Sequence, residues 1–355
     1  MLIEGIYDTD IVQPPRNEKL LKIVKPIVNW ISYFNSDLHV NMPPETLKFL
    51  METYNAMIIS THKGLPETVL SPVAFYRLGL RVPYSVIGDN LIKGKGAVSI
   101  SKEIGMVFSE RTNSDIEGAV INSRSKMASV LEAGNLIALY PTPGRSKNGL
   151  TMSFQSSPFQ LAILLDIPII PHSPGYFRYP EEHHFVERVG RTRSRQKKKK
   201  GGYTVKWYDM PELVFGNKGD VYLNYGKPII PSEYFGTKIP PSKIVECSKE
   251  FADHVRKECL YLTPITERHI VAYAMEQPGY IRDNVAMTLE KIEPHSNKFT
   301  FKFPGDCKFG DISLDDKVDI LIHNADLQGK HQKLVLMYGN EIKHYVEGMY
   351  GRKFD

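Results

Sequence analysis

Short apolar runs alternate with helix-like stretches from about residue 56 to residue 230. Each run is four to six residues long and bounded by turn residues, which is typical of strands buried inside a sheet. The runs lie at 56–60 (AMIIS), 84–88 (YSVIG), 105–108 (GMVF), 135–140 (NLIALY), 167–171 (IPIIP) and 221–226 (VYLNYG). Apolar residues at helical spacing lie between them, at 69–80, 114–133 and 158–165. The alternation predicts an α/β fold with a mostly parallel central sheet flanked by helices.

Residues 1–50 precede this region and are predicted to be an N-terminal helical segment. From Glu18 to Phe34 (EKLLKIVKPIVNWISYF), apolar residues recur at helical spacing beside three lysines. Such an amphipathic helix either packs on the protein's own core or lies on a bilayer surface. The chain has no run of 18 or more apolar residues, and acidic residues stand near its start where a signal peptide has basic ones. We therefore expect neither a transmembrane segment nor a signal peptide.

The character of the chain changes after about residue 262. Residues 299–323 (FTFKFPGDCKFGDISLDDKVDILIH) have β character. We therefore predict an N-terminal helical segment at 1–50, an α/β catalytic domain at 51–262, and an extension at 263–355 that contains a small β element.

Much of the excess positive charge of the chain lies in one segment. The net charge is +5, and residues 188–202 (RVGRTRSRQKKKKGG) are strongly basic without apolar periodicity, which predicts a solvated, mobile loop. The loop is either a simple surface excursion or a region that attracts anionic lipid headgroups, a nucleotide-bearing cofactor or an acidic carrier protein. It contains no aromatic residue on which a base could stack, so we expect no nucleic-acid partner.

Cysteine usage indicates a reducing compartment. Cys247, Cys259 and Cys307 are odd in number and widely spaced, which fits neither a disulfide framework nor a metal site. We therefore expect reduced thiols in a cytoplasmic protein, and no bound metal.

A histidine and a glutamate stand at a predicted strand-to-helix turn. His62 and Glu67 lie in STHKGLPE (60–67), where Pro66 suits the first position of a helix. Five residues apart on one helix they would point about 140° away from each other, so they meet only if the turn folds the glutamate back. A carboxylate on one imidazole nitrogen leaves the other nitrogen free to take a proton from a hydroxyl. The alternative is that Glu67 only complements the helix dipole and His62 has no catalytic role.

Five sequence blocks, in order, resemble those of the glycerolipid acyltransferases, which include glycerol-3-phosphate, dihydroxyacetone-phosphate and lysophosphatidate acyltransferases. His62 and Glu67 are similar to the family's His-x4-Asp motif. The other blocks are GMVFSER (105–111), LEAGNLIALYPTPGRSKNG (131–149), SFQSSPFQLAILLDIPIIPHS (153–173) and VYLNYGKPI (221–229). Together the blocks cover about residues 55–232, roughly half of the chain. The resemblance implies an O-acyltransferase with this family's α/β fold.

The resemblance also implies roles for individual residues. His62 would act as the general base, supported by Glu67. Arg111 and Arg145, assisted by Lys147, would grip the phosphate of the acceptor, since guanidinium groups bind phosphate in a bidentate manner; alternatively, both are ordinary surface residues. The reaction implied is direct transfer from acyl-CoA or acyl-carrier protein to a hydroxyl of a small phosphate-bearing acceptor such as glycerol 3-phosphate. It requires no metal, no further cofactor and no acyl-enzyme intermediate.

Two positions depart from the family pattern. Glu67 replaces the usual aspartate and lengthens the reach to His62 by one methylene. Thr142-Pro143-Gly144-Arg145-Ser146 stands where the family has Glu-Gly-Thr-Arg-Ser, so the loop loses an acidic side chain, and Pro143 fixes its backbone. These loop-shaping residues leave other interpretations open: a lysophospholipid acceptor, or an inactive relative that binds lipid or an acyl carrier. In each case we expect peripheral association with an anionic membrane surface.

Overall fold

A seven-stranded sheet forms the centre of the protein. The computed structural model describes residues 38–53, 55–64, 67–88, 105–109, 116–144, 149–178, 220–294, 313–327, 330 and 332–346. The strands are β1 (Leu38–Asn41), β2 (Ala56–Ser60), β3 (Tyr84–Gly88), β4 (Met106–Ser109), β5 (Leu136–Leu139), β6 (Ile169–Tyr176) and β7 (Val221–Tyr225). Their order across the sheet is β1-β7-β6-β2-β5-β3-β4.

Five of the six neighbouring strand pairs are parallel, and only β6 and β7 run antiparallel. The prediction of a mostly parallel sheet flanked by helices is therefore confirmed. Strand β2 is the central strand, between β5 and β6, and all five of its residues are buried. Its carboxyl end leads directly to His62. Ligands of open α/β sheets bind at this edge, outside the carboxyl ends of the parallel strands.

Eleven helices are present among the described residues. Those up to residue 261 are α1 (Pro44–Glu52), α2 (Glu67–Arg77), α3 (Ile116–Glu132), α4 (Ser157–Leu165), α5 (Pro231–Tyr234) and α6 (Ile244–Tyr261), the last following a short 3₁₀ turn at Pro241–Lys243. The remaining helices are α7 (Glu267–Met275), α8 (Ile281–Ile292), α9 (Leu314–Ala325), α10 (Gln332–Glu341) and α11 (Lys343–Val346). All six predicted strands and all three predicted helices of the central region occur, with ends displaced by a few residues.

Helices cover both faces of the sheet. Successive side chains of a strand point to opposite faces, so β2 contributes to two hydrophobic clusters. Met57 and Ile59 belong to one cluster, with side chains from α3, α4 and α6. Ala56 and Ile58 belong to the other, with side chains from α2 and from the C-terminal helices α7 to α11. The C-terminal helices therefore share a core with the sheet.

The predicted β element at 299–323 is wrong where the structure describes it. Residues 313–323 belong to the N-cap and body of α9, while residues 299–312 lie outside the described residues. The side chain of Ser313 caps the helix by accepting a hydrogen bond from the Asp316 backbone N–H. Val318, Leu321 and Ala325 are buried at helical spacing, and the charged residues of the segment face solvent. The apolar run VDILIH favours a strand locally, but packing on the core selects the helix.

The N-terminal segment is not wholly helical. Strand β1 lies within residues 1–50 and pairs in parallel with β7, and helix α1 begins after it at Pro44. The predicted amphipathic helix at 18–34 and the basic loop at 188–202 lie outside the described residues. The division of the chain into three parts stays a prediction. No helix in the described ranges is long and apolar enough to cross a membrane.

Candidate active site

His62 and Glu67 meet at the turn between β2 and α2. The imidazole Nδ1 of His62 lies 3.0 Å from Oε2 of Glu67. Glu67 is the first residue of α2, and the turn folds its side chain back toward the end of β2. Their spacing in sequence allowed a contact only if the turn folded the glutamate back, and the structure shows this arrangement. The Glu67 side chain is one methylene longer than the aspartate of the family that the sequence resembles, and the turn accommodates this extra length.

The carboxylate of Glu67 is fully buried and accepts several hydrogen bonds. The backbone N–H of Lys63 donates to Oε1 and Oε2 over 2.9 Å and 3.1 Å, and the N–H of Gly64 donates to Oε1 over 2.6 Å. The hydroxyl of Tyr176 approaches Oε1 at 3.4 Å. These donors satisfy a side chain with 0% exposure, which would otherwise be costly to bury. The same carboxylate thus holds the turn backbone and the His62 ring.

The imidazole of His62 is fixed on two sides and partly open on another. Its ring stacks on Tyr140, with the centroids 4.8 Å apart. Its side chain is 17% exposed, whereas Glu67 is not exposed at all. A carboxylate accepts a hydrogen bond, so the neutral ring carries its proton on Nδ1. Nε2 has no hydrogen-bond partner among the described residues and is therefore the nitrogen available to a substrate.

Tyr140 contributes an aromatic surface rather than a titrating group. Burial raises the pKa of its phenol well above the ordinary value, and the nearby Glu67 carboxylate and Tyr225 raise it further. The phenol therefore stays protonated at neutral pH. Tyr140 follows directly after β5, the parallel neighbour of β2, so its ring reaches the His62 side of the sheet edge.

The turn after Tyr140 is closed by a side chain. Thr142 is buried, and its hydroxyl donates to the carbonyl oxygen of Gly144 over 2.8 Å. This contact closes the backbone around Pro143 at the carboxyl end of β5. The Thr142 hydroxyl is thereby engaged within its own loop. The role of Thr142, Pro143 and Gly144 in shaping an acceptor site stays a prediction.

Strand β2, the turn with His62 and Glu67, and the Thr142 loop all lie within one continuous part of the sequence. Residues 44–174 match the family model described as Acyltransferase. Residues 44–174 are an acyltransferase domain. The match confirms the resemblance seen in the sequence blocks, and with it the prediction of an O-acyltransferase. The matched residues include His62, Glu67 and Thr142.

The solved structures that are similar to this chain include an acyltransferase. The crystal structure of the 1-acyl-sn-glycerophosphate (LPA) acyltransferase PlsC from Thermotoga maritima is similar over 66% of this chain and 79% of that chain, with 17% sequence identity and a TM-score of 0.38. Similarity at that level establishes nothing about substrate or site. No curated protein matches the chain by sequence.

The remaining predicted site residues of the acyltransferase domain lie outside the described residues. They are the phosphate-binding candidates Arg111, Arg145 and Lys147, together with the loop residue Ser146. Their proposed roles stay predictions.

The sequence did not identify Lys63 as a residue of interest. Its ammonium forms a buried ion pair with Glu341, with Nζ 2.7 Å from Oε2. Glu341 ends helix α10 and lies 278 residues further along the chain. No local pattern connects residues so far apart, so only the tertiary structure reveals the pair.

A second histidine lies next to the turn but has a structural role. His172 on β6 is fully buried, and its Nδ1 lies 2.8 Å from the hydroxyl of Ser60. Burial and the Lys63 ammonium lower its pKa to about 3, so its ring stays neutral. The ring stacks on Tyr225, with the centroids 4.4 Å apart. His172 therefore packs the end of β2, and His62 is the partly exposed histidine of the turn.

Proposed function

We propose that this protein transfers a fatty acyl group from acyl-CoA or acyl-carrier protein to a hydroxyl of a phosphate-bearing acceptor, such as glycerol 3-phosphate, in phospholipid synthesis. The observation that supports this best is the His62–Glu67 contact within an acyltransferase domain. A partly exposed imidazole backed by a buried carboxylate is the arrangement that general-base catalysis on a hydroxyl requires.

The proposed chemistry is a direct transfer. Nε2 of His62 removes the proton of the acceptor hydroxyl as the oxygen attacks the thioester carbonyl carbon. Glu67 holds the ring through Nδ1 and stabilises the positive charge that develops on it. The tetrahedral intermediate then expels the thiolate, which takes the proton back from His62. The new ester bond replaces the broken thioester bond, and no net proton is gained or lost.

The acceptor phosphate is proposed to bind Arg111 and Arg145, with Lys147 assisting. Each charge-assisted hydrogen bond to phosphate contributes roughly 1.5–3 kcal/mol. This interaction would orient the hydroxyl relative to His62, and orientation of reactants is itself a large part of catalysis. The basic loop at 188–202 and the amphipathic segment at 18–34 are proposed to contact the anionic membrane surface or the acyl carrier.

The loop that begins at Thr142 favours a second candidate acceptor. Thr142 replaces the acidic residue of the family pattern, and its hydroxyl is engaged by Gly144. The site therefore lacks one carboxylate that could accept hydrogen bonds from the free hydroxyls of a small polyol. A lysophospholipid, which has fewer free hydroxyls than glycerol 3-phosphate, needs that carboxylate less.

A transfer assay tests the proposal. Purified protein is incubated with radiolabelled palmitoyl-CoA or palmitoyl-acyl-carrier protein and with glycerol 3-phosphate, dihydroxyacetone phosphate or lysophosphatidate. We expect labelled ester with at least one acceptor and a loss of about 10²–10⁴-fold in His62→Ala. The control is His254→Ala, a histidine on α6 that stacks on Tyr234. Turnover that survives His62→Ala would exclude the general-base role, and absence of any ester product would exclude this set of substrates.

A further inference from the structure

The turn that carries His62 is anchored by more than Glu67. Its backbone is held on one side, because the N–H groups of Lys63 and Gly64 donate to the Glu67 carboxylate. The side chain of Lys63, the residue directly after His62, provides a second attachment. It is 4% exposed and reaches the carboxylate of Glu341, which is 3% exposed.

A histidine completes this second attachment. His269 on α7 is fully buried, and its Nδ1 accepts a hydrogen bond from the Thr266 backbone N–H over 3.0 Å. Burial and the cations of Lys63 and Arg268 lower the pKa of His269 well below its ordinary value, so the ring is neutral. A neutral ring that accepts at Nδ1 carries its proton on Nε2. Nε2 therefore donates to Oε2 of Glu341, over 3.1 Å.

Glu341 thus receives donors from two parts of the chain on a single oxygen. One donor, Lys63, belongs to the turn of the candidate active site, and the other, His269, belongs to the C-terminal helices. All three side chains are almost fully excluded from solvent, where an ion pair is little screened by salt. Removing one partner would leave an uncompensated charge in the interior.

The position of Lys63 constrains His62 because the two residues are adjacent in sequence. A shift of the Lys63 backbone would change the approach of His62 to a bound hydroxyl, and misplacement of a catalytic group by about 1 Å lowers a rate by about 10²-fold. We propose that Glu341 is a positioning residue: through its ion pair with Lys63, and held by His269, it keeps the turn that carries His62 in the orientation required for proton transfer. This inference rests on the proposed role of His62 as general base.

The first test compares two carboxylates of the C-terminal helices. Glu341→Gln preserves size and removes the carboxylate that pairs with Lys63, and the matched control Glu267→Gln makes the same substitution at a buried position of α7. We expect Glu341→Gln to lower kcat by about 10-fold or more, with the KM values of donor and acceptor changed less than about twofold. Glu267→Gln should leave both parameters at the wild-type level. A kcat within twofold of wild type in Glu341→Gln would overturn the inference.

A double variant separates positioning from stability. Lys63→Met combined with Glu341→Gln removes both buried charges, and such neutral replacements often restore stability. If Glu341 acts through the position of the turn, Tm recovers in the double variant while kcat stays low. If the pair only stabilises the fold, kcat recovers together with Tm, and the inference fails.

A spectroscopic measurement does not depend on turnover. The Nδ1–H proton of His62, hydrogen-bonded to Glu67, should give a downfield proton NMR signal that is absent from His62→Ala. We expect this signal to shift or broaden in Glu341→Gln and to be unchanged in Glu267→Gln. An unchanged signal in Glu341→Gln would contradict the positioning role even if no acceptor in the assay were turned over. Turnover that survives His62→Ala would exclude the general-base role on which this inference rests, and would therefore overturn the inference while leaving acyl transfer itself in place.

Discussion

Tyr140 stacks its phenol ring on the imidazole of His62, with the ring centroids 4.8 Å apart. The contact joins the ends of β2 and β5, two parallel neighbours, across the edge of the sheet. The ring of His62 is therefore confined by an aromatic face as well as by the Glu67 carboxylate. Tyr140 could affect His62 through its aromatic ring or through its hydroxyl. Substitutions at Tyr140 can test these two contributions separately.

We expect Tyr140→Phe to keep kcat within about twofold of wild type and Tyr140→Leu to lower it by about 10-fold. Phenylalanine retains the stacking surface, and the phenol, whose pKa burial raises, is not the group that takes the proton. Leucine removes the aromatic face and allows the imidazole to rotate. Steady-state kinetics of both variants, with Tm as the control for folding, make the comparison. Equal losses in the two variants would show that the hydroxyl, and not the ring, is the important group.

Glu67→Gln should lower kcat by about 10²–10⁴-fold. The neutral amide cannot stabilise a protonated imidazole. In either orientation its NH₂ group would replace an oxygen that now accepts a hydrogen bond, either from His62 and Lys63 or from Lys63 and Gly64. Loss of these buried hydrogen bonds should also lower the free energy of unfolding by about 1–3 kcal/mol.

The two effects of Glu67→Gln are measured by single-turnover acyl transfer and by urea denaturation. A stability loss without a rate loss would assign Glu67 to the fold alone. Glu67→Asp should be measured alongside Glu67→Gln. It keeps a carboxylate and introduces the aspartate of the resembling family, but the side chain is one methylene shorter and reaches less far toward His62.

Burial of Glu267 predicts a pH dependence of stability. Burial raises the pKa of its carboxyl from the ordinary 4.5 to about 7, and the nearby Asp220 carboxylate adds to the shift. Between these two values the folded protein binds more protons than the unfolded chain. The contribution of this group to stability is therefore fully present below pH 4.5 and is lost as the pH rises through 7.

Glu267→Gln removes this dependence. Relative to wild type, we expect the free energy of unfolding of the variant to increase as the pH rises from 4.5 to 8, by about 3 kcal/mol in total. Urea denaturation of both proteins at several pH values measures the difference. A difference that does not change with pH would show that Glu267 ionises in the folded protein as it does in the unfolded chain.

The packing of helix α9 predicts which of its apolar side chains contribute most to the free energy of unfolding. Leu321 is fully buried in the core shared with the sheet, whereas the adjacent Ile320 is only partly buried. Leu321→Ala should cost about 2–5 kcal/mol of unfolding free energy, and Ile320→Ala should cost clearly less. In a strand, Val318, Ile320 and Ile322 would share one buried face, and the order would be reversed. Urea denaturation of the two variants distinguishes these arrangements.

Most of the central sheet could be predicted from sequence because its inner strands are buried on both faces. AMIIS at 56–60 is continuous and apolar, and β2 is buried along its whole length. The segment 314–325 shows the limit of this approach: its VDILIH run has high strand propensity, and only the surface on which α9 packs selects a helix. Strand β1 could not be predicted because LHVN is short and pairs with β7, which lies about 180 residues further along the chain.

The candidate site was predictable only in part. From their spacing, His62 and Glu67 could meet only if the turn brought the glutamate back, and the structure shows this contact. The ordered sequence blocks predicted the family. The Tyr140 stack depends on two strands that are adjacent in the sheet but not in the chain. The ion pair of Lys63 with Glu341 joins residues 278 positions apart, and neither residue has a pattern that names the other.

The same ion pair has a consequence for biosynthesis. At about 5–20 residues per second, translation reaches Glu341 roughly 15–60 s after Lys63. In the later part of that interval, after residue 225, the nascent chain contains all seven described strands but lacks the carboxylate that neutralises the lysine beside its histidine. The turn that carries His62 therefore gains its second anchor only after residue 341 has been made, and a chain released earlier would carry the acyltransferase domain without that anchor.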